Sequence, residues 1–223
     1  MDPYADDAAV AHYAEAPPRL VPGFADLQRM STQLLAESAP ADAHVLVLGA
    51  GGGLELRAFA QAQPGWRLEG VDPSAPMLAL ARRTLGEHAD RARLHLGYID
   101  SAPAGPFDAA ACLLTLHFVP PAQRLPTLQG LHRRLRPGAP LVVAHLSFAQ
   151  DPGARERWLG RYARFAESSG IARAQAENGR AAVAEHLHIL APAQEEALLV
   201  EAGFHAVEPF YQGLGFRGWR ALA

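Results

Sequence analysis

The stretch VLVLGAGGG, residues 45–53, decides the fold. Its first four residues are aliphatic, and with His44 before them they make the short apolar run of a strand buried on both faces. Glycines at 49, 51 and 53 then end that strand in a bend. Backbone without Cβ atoms turns sharply and lets a ligand lie against it. The spacing is G-x-G-x-G, not the dinucleotide fingerprint G-x-G-x-x-G, because Leu54 stands where the last glycine would fall. No Lys follows to serve a phosphate loop. Taken alone, the stretch fits either a ligand cradle or a turn that binds nothing.

Outward from this turn the pattern alternates. Upstream, Phe24, Leu27, Met30 and Leu34 recur at helical spacing and predict an amphipathic helix over about 23–38, within an N-terminal helical segment of residues 1–43. Downstream, LELRAFAQA reads as helix, WRLEGVD as strand, PMLALARRTL as helix, and RLHLGY and FDAAACLLTL as strands. A helix carrying Leu125, Leu128, Leu131 and Leu135 follows, ended by Pro137 and Gly138. PLVVAHLS (140–147) is the next strand. Residues 151–190 break the rhythm as a helical insertion; a helix near 194–202 and strands near 204–211 and 214–221, turning at Gln212-Gly213, close the chain. The expected fold is α/β: a doubly wound, mostly parallel seven-stranded sheet with an antiparallel last strand, spanning 44–223.

Composition narrows the function. The 223 residues carry a net charge of −3, which gives no basic footprint for nucleic acid. A single cysteine, Cys112, excludes a disulfide framework and a multi-thiolate zinc site, and its apolar neighbours mark it as a small buried hydrophobe. No apolar stretch approaches the ~18 residues of a membrane span, and the acidic N-terminus does not read as a secretion signal, so a cytoplasmic protein is expected. A small-molecule substrate is expected, with no DNA and no membrane partner. A homodimer burying the N-terminal helix and the C-terminal aromatics stays open.

Asp72, at the end of the second strand, has two readings. A carboxylate there can accept hydrogen bonds from both hydroxyls of a ribose. Followed by Pro73 and Ser74, it can also simply start a helix. VLVLGAGGG together with GVDPSAPMLALARR (70–83) resembles the first two motifs of the class I S-adenosylmethionine-dependent methyltransferases. LRPGAPLVV (135–143) resembles their turn before the fifth strand. The resemblance implies a Rossmann-like methyltransferase fold with S-adenosyl-L-methionine as cofactor. It places Gly49, Ala50 and Gly51, within the turn closed by Gly53, against the methionine part. It gives the ribose to Asp72, sets Pro73 and Met77 near the adenine, and lets Tyr98 and Ile99 flank the ring. The family's acidic position two before the first glycine is Val47 here, and the acid of its third-strand motif is Tyr98, with Asp100 two residues on.

The ends of the chain, VPGFADLQRMSTQLLAE (21–37) and FYQGLGFRGWRALA (210–223), look similar to those of carboxy-S-adenosylmethionine synthases. That subfamily implies an asparagine where Leu113 stands. It also implies an arginine for the added carboxylate at Ala182, with Arg180 two residues away. Leu113 is therefore carried as a cofactor-site position of altered chemistry.

For a general base, His117 in LLTLHFVP is best placed, just past the fourth strand, and has packing or helix capping as its plainer role. His145 lies inside a strand and reads as structural. His186 and His188 lack the carboxylates that would make His-x-His a metal site. Trp158, Tyr162 and Phe165, with Arg161 and Arg164, either line an acceptor pocket or pack a helix. CLLTLHF replaces the Asn/Asp-Pro-Pro-aromatic motif of amino-methyltransferases. Three functions follow as candidates: methyl transfer to a small molecule by in-line displacement, carboxy-S-adenosylmethionine synthesis, or cofactor binding without catalysis.

Overall fold

The computed structural model describes residues 15–223, so the first part of the predicted N-terminal segment lies outside the described residues. A short helix α1 (Ala16–Leu20) leads into α2 (Phe24–Ala36), and then β1 (His44–Leu48), α3 (Leu54–Ala62), β2 (Arg67–Asp72), α4 (Ala75–Leu85) and β3 (Ala92–Leu96) alternate. They continue through β4 (Ala109–Leu113), α5 (Pro121–His132) and β5 (Pro140–Leu146). The helical insertion is the pair α6 (Pro152–Ser168) and α7 (Arg173–His186). Helix α8 (Pro192–Glu201) and the strands β6 (His205–Gly213) and β7 (Phe216–Leu222) finish the chain.

The strands form one seven-stranded sheet in the order β3-β2-β1-β4-β5-β7-β6. Strands β1 to β5 run parallel, and β7 runs antiparallel to both β5 and β6. Alternation along β1 explains the double layering, because successive side chains leave opposite faces. Val45 and Val47 join one apolar core with Leu27 and Leu35 of α2 and Leu56 and Phe59 of α3. Leu46 and Leu48 join a second core with Leu128 and Leu131 of α5 and Leu199 of α8. β4 is built from Ala109, Ala110, Ala111, Cys112 and Leu113, all buried. Alanines are poor strand formers, yet at the centre of a sheet covered on both faces tertiary packing overrides that preference.

Three expectations shift in detail. Helix α2 buries Leu27, Ser31, Thr32 and Leu35, leaving Phe24, Met30 and Leu34 only half-buried, so its inward stripe is rotated from the apolar spacing. Strand β4 stops at Leu113 because Leu114 takes a φ of 55°. The final hairpin turns at Leu214-Gly215, since Gln212 and Gly213 are paired with Arg217 and Phe216 in the ladder. Leu214 itself adopts the positive φ, 53°, that such a tight turn demands.

The insertion packs by its aromatics. Trp158 stacks on Phe148 with centroids 6.1 Å apart, Arg161 lies 4.3 Å over the Trp158 ring, and Tyr162 meets Phe216 at 6.4 Å. Trp158, Tyr162 and Phe165 are all half-buried, which is the packing reading of this helix.

Candidate active site

Strand order reverses between β1 and β4, and ligands of open α/β sheets bind outside the carboxyl ends of strands at such a switch point. The glycine turn sits there. Gly49 and Ala50 both donate their amides to the Val71 carbonyl, at 2.8 and 3.0 Å, which lashes the turn to β2. Two of the glycines answer to the protein's own packing. Gly49 has φ +77°, and a Cβ there would lie 1.9 Å from Thr115 Oγ1; Gly53 has φ +81°, and its Cβ would lie 2.7 Å from the Ala81 Cα of α4. Thr115 is held by donating to the Leu113 carbonyl at 2.9 Å. The positive φ of Leu114 swings it over Gly49. Sequence reasoning missed this close approach, because nothing in LLTLHF announces it.

Asp72 unites the two motifs. Its Oδ2 accepts the Gly51 amide at 2.9 Å and its Oδ1 the Ser74 amide at 2.9 Å. The two sequence readings are therefore compatible: the carboxylate fixes the helix start and the glycine turn together. Ser74 caps α4 by accepting from the Met77 amide at 3.4 Å. Pro73 is exposed and Met77 buried at this edge.

The third-strand pair is divided. Tyr98 is 72% exposed, its ring open to a ligand. Ile99 is buried against α5, so tightly that a Cβ on Gly130 would meet its Cγ1 at 2.7 Å. Any contact from Ile99 to an adenine is thus through its backbone. Leu113 likewise gives its side chain to the apolar core on the face of α2 and α3. It offers no polar group to a ligand. A cleft of about 750 Å³ lies between α2 and α3, lined by residues such as Gln28, Thr32, Ala58 and Gln61; no residue of the glycine turn lines it.

His117 does not stand as a general base. It is 4% exposed, its Nδ1 accepts the Leu146 amide at 3.0 Å, and its own carbonyl accepts the His188 amide at 2.8 Å. With Nδ1 accepting, the remaining proton sits on Nε2, which can only donate. Burial first, then the neighbouring His145 and Arg124, hold its pKa well below the ordinary 6.5. It braces β5. Arg124, wholly buried on α5, pairs with Glu195 of α8 and donates to the His188 carbonyl, while His145 Nε2 lies 3.1 Å from Glu195. This network joins the sheet to the end of the insertion. Arg180 is engaged by Glu156 at 2.7 Å and Glu177 at 2.8 Å. Burial raises Cys112 to about 12, an inert thiol. Among the described residues no group of histidines, cysteines and acids could hold a metal ion. No helix among them is long and apolar enough to cross a membrane.

One acidic residue went unnoticed in the sequence. Glu55, in the first turn of α3, is only 8% exposed and makes no ion pair or hydrogen bond to another described residue. Burial, opposed in part by its own amide and reinforced by Asp72, lifts its pKa to about 8. An acid at a helix start is ordinary, so the sequence carried no signal that this one faces inward.

A family model described as a methyltransferase domain matches residues 45–138. The carboxy-S-adenosyl-L-methionine synthase of Chromohalobacter salexigens is 30% identical over 221 residues, covering 95% of this chain and 80% of that protein. That of Campylobacter curvus is 25% identical, covering 97% and 93%. The chain belongs to the class I S-adenosylmethionine-dependent methyltransferases. Solved structures agree in fold. Haemonchus contortus phosphoethanolamine N-methyltransferase 2 in complex with S-adenosyl-L-methionine superposes with a TM-score of 0.70 at 14% identity, over 100% of this chain and 58% of that one. Human N-acetylserotonin methyltransferase in complex with SAM gives 0.64 at 13%, over 99% and 57%. The chain thus spans under two thirds of those methyltransferases.

The family's cofactor is S-adenosylmethionine, and the donor and acceptor groups at the switch point suit its chemistry. Asp72 accepts the Gly51 amide of the turn, and the buried carboxyl of Glu55 is close enough to feel its charge, so two carboxyl groups are available to a ligand that bears hydroxyls and an ammonium. The exposed Tyr98 ring stands at the same edge of the sheet, one residue past Gly97, whose amide donates to the Asp72 carbonyl at 3.0 Å.

Proposed function

We propose that this chain transfers the methyl group of S-adenosylmethionine to a small-molecule acceptor by direct in-line displacement. The observation that carries the reading is Asp72 at the switch point, one oxygen on the Gly51 amide and the other on the Ser74 amide. The sulfonium arrives already activated, so what the protein adds is position and exclusion of water. In this reading Asp72 holds the ribose hydroxyls, Met77, Pro73 and Tyr98 enclose the adenine, and the turn Gly49–Gly53 supports the methionine part. With His117 committed to Leu146, no general base is assigned to it.

Calorimetric titration with S-adenosylmethionine and S-adenosylhomocysteine tests the cofactor, and release of S-adenosylhomocysteine on adding candidate acceptors tests the transfer. Failure of both ligands to bind refutes the proposal. Binding of both without turnover on any acceptor favours a cofactor-binding protein without catalysis.

A second reading, carboxy-S-adenosylmethionine synthesis, is supported by the 30% identity over nearly the whole chain. Against it, Leu113 is apolar and Arg180 is held by two glutamates. The mass of the cofactor after incubation with prephenate separates the two: a carboxylated product establishes the synthase.

A further inference from the structure

Glu55 is a buried acid with no ion-pair or hydrogen-bond partner on another of the described residues. Such groups are rare, because an unpaired charge in an apolar surround is expensive and the group neutralises itself instead. It lies on the first turn of α3, immediately after the glycine turn. There the helix packs so closely on β2 that a Cβ on Gly70 would meet both Ala50 Cβ and Leu56 Cδ1 at 3.0 Å. The titratable groups that face it are Asp72 at the end of β2 and Cys112 on β4; neither is a cation. Every other side chain on the inward face of α3 (Leu56, Phe59, Ala60) is apolar and in contact with the core. Among the described residues nothing supplies this acid with a cation, so it is suited to receive one from a ligand. The same turn holds the amino-acid part of the ligand under the proposed function, and the acidic position two residues before Gly49 is filled by Val47, whose side chain is in the core.

We propose that Glu55 receives the α-ammonium of the cofactor's methionine part, taking from helix α3 the role that β1 does not fill. The proposal rests on the site being an S-adenosylmethionine site. In the free protein Glu55 holds a proton, given a pKa near 8. When the ammonium arrives that proton leaves to solvent, and a charge-assisted pair replaces a buried carboxylic acid. Glu55 is a binding residue in this scheme and takes no part in moving the methyl group.

Glu55→Gln keeps the shape of the protonated acid and removes its capacity to ionise. Titrations use S-adenosylmethionine, S-adenosylhomocysteine (ammonium without sulfonium) and 5′-methylthioadenosine (neither). The variant should bind the first two about tenfold to a hundredfold more weakly than wild type, by the same factor, and 5′-methylthioadenosine equally well. Equal binding of 5′-methylthioadenosine also shows that the variant folds. Infrared difference spectra at pH 7 should show a protonated-carboxyl band in the free wild type, absent from Glu55→Gln, that vanishes on saturation with S-adenosylhomocysteine. Unchanged affinity of the variant for S-adenosylhomocysteine, a loss confined to S-adenosylmethionine, or a band that persists in the complex each overturns the assignment while leaving the cofactor site intact. Failure of wild type to bind any of the three overturns the site and Glu55's role together.

Discussion

Replacing Gly49 with Ala separates two reasons for having a glycine there. If a ligand alone required it, the alanine protein would be as stable as wild type and merely fail to bind. The structure says otherwise. A Cβ at Gly49 meets Thr115 Oγ1 at 1.9 Å, Cγ2 at 2.5 Å and Cβ at 2.7 Å, at a φ of +77°. The left-handed backbone costs a non-glycine residue about 1–2 kcal/mol. The overlap with Thr115 costs about 1–3 kcal/mol more. Gly49→Ala should therefore lose about 2–5 kcal/mol, read as a lower urea midpoint at unchanged slope. Thr115→Gly removes all three clashing atoms. Alone it loses about 1–2 kcal/mol, from its bond to the Leu113 carbonyl and from added chain freedom. In the double variant the steric part disappears and the backbone part stays, so the cycle should show about 1–3 kcal/mol of favourable coupling. Strict additivity, within ~0.5 kcal/mol, would refute the argument that Thr115 is what Gly49 accommodates.

Three further perturbations follow from the same geometry. Asp72→Ala should abolish measurable binding of 5′-methylthioadenosine as well as S-adenosylmethionine, because it removes the ribose acceptor and frees the Gly51 amide; wild-type affinity in calorimetry would refute the site. His117→Gln should leave any methyl-transfer rate within a few-fold, whereas loss of a general base would cost about 10²–10⁴-fold. Its pH profile should also change. Wild-type His117 stays neutral when folded and protonates below its ordinary 6.5 when unfolded, so stability falls as pH drops through that region, and denaturant melts of the glutamine variant should fall less steeply. Arg124→Met should lose about 3–5 kcal/mol by stranding Glu195, and adding Glu195→Leu should recover much of it; a melt unchanged by the first substitution would refute the buried pairing.

How far the site was legible depended on whether its signal was local. The bend at Gly49 and Gly51 and the carboxylate of Asp72 that ends β2 could be read because both are written in residue type and order. The roles of Ile99, Leu113 and His117 could not, since each depends on which way one side chain leaves a backbone whose neighbours are distant in sequence. Ile99 turns under α5, Leu113 enters the core beside α2 and α3, and His117 reaches Leu146 on the adjacent strand. Glu55 was illegible for the same reason, as its burial depends on how the first turn of α3 packs on the sheet.

The order of residues determined the alternation of strands and helices, the place of the bend and the carboxylate that ends β2, because apolar periodicity and glycine act over a few positions. Only the tertiary structure decided that Thr115 covers Gly49, that Asp72 ties two turns into one and that Glu55 is buried with no cation beside it among the described residues. Those depend on the close approach of segments far apart in the chain, where a few tenths of an ångström separate a contact from a clash.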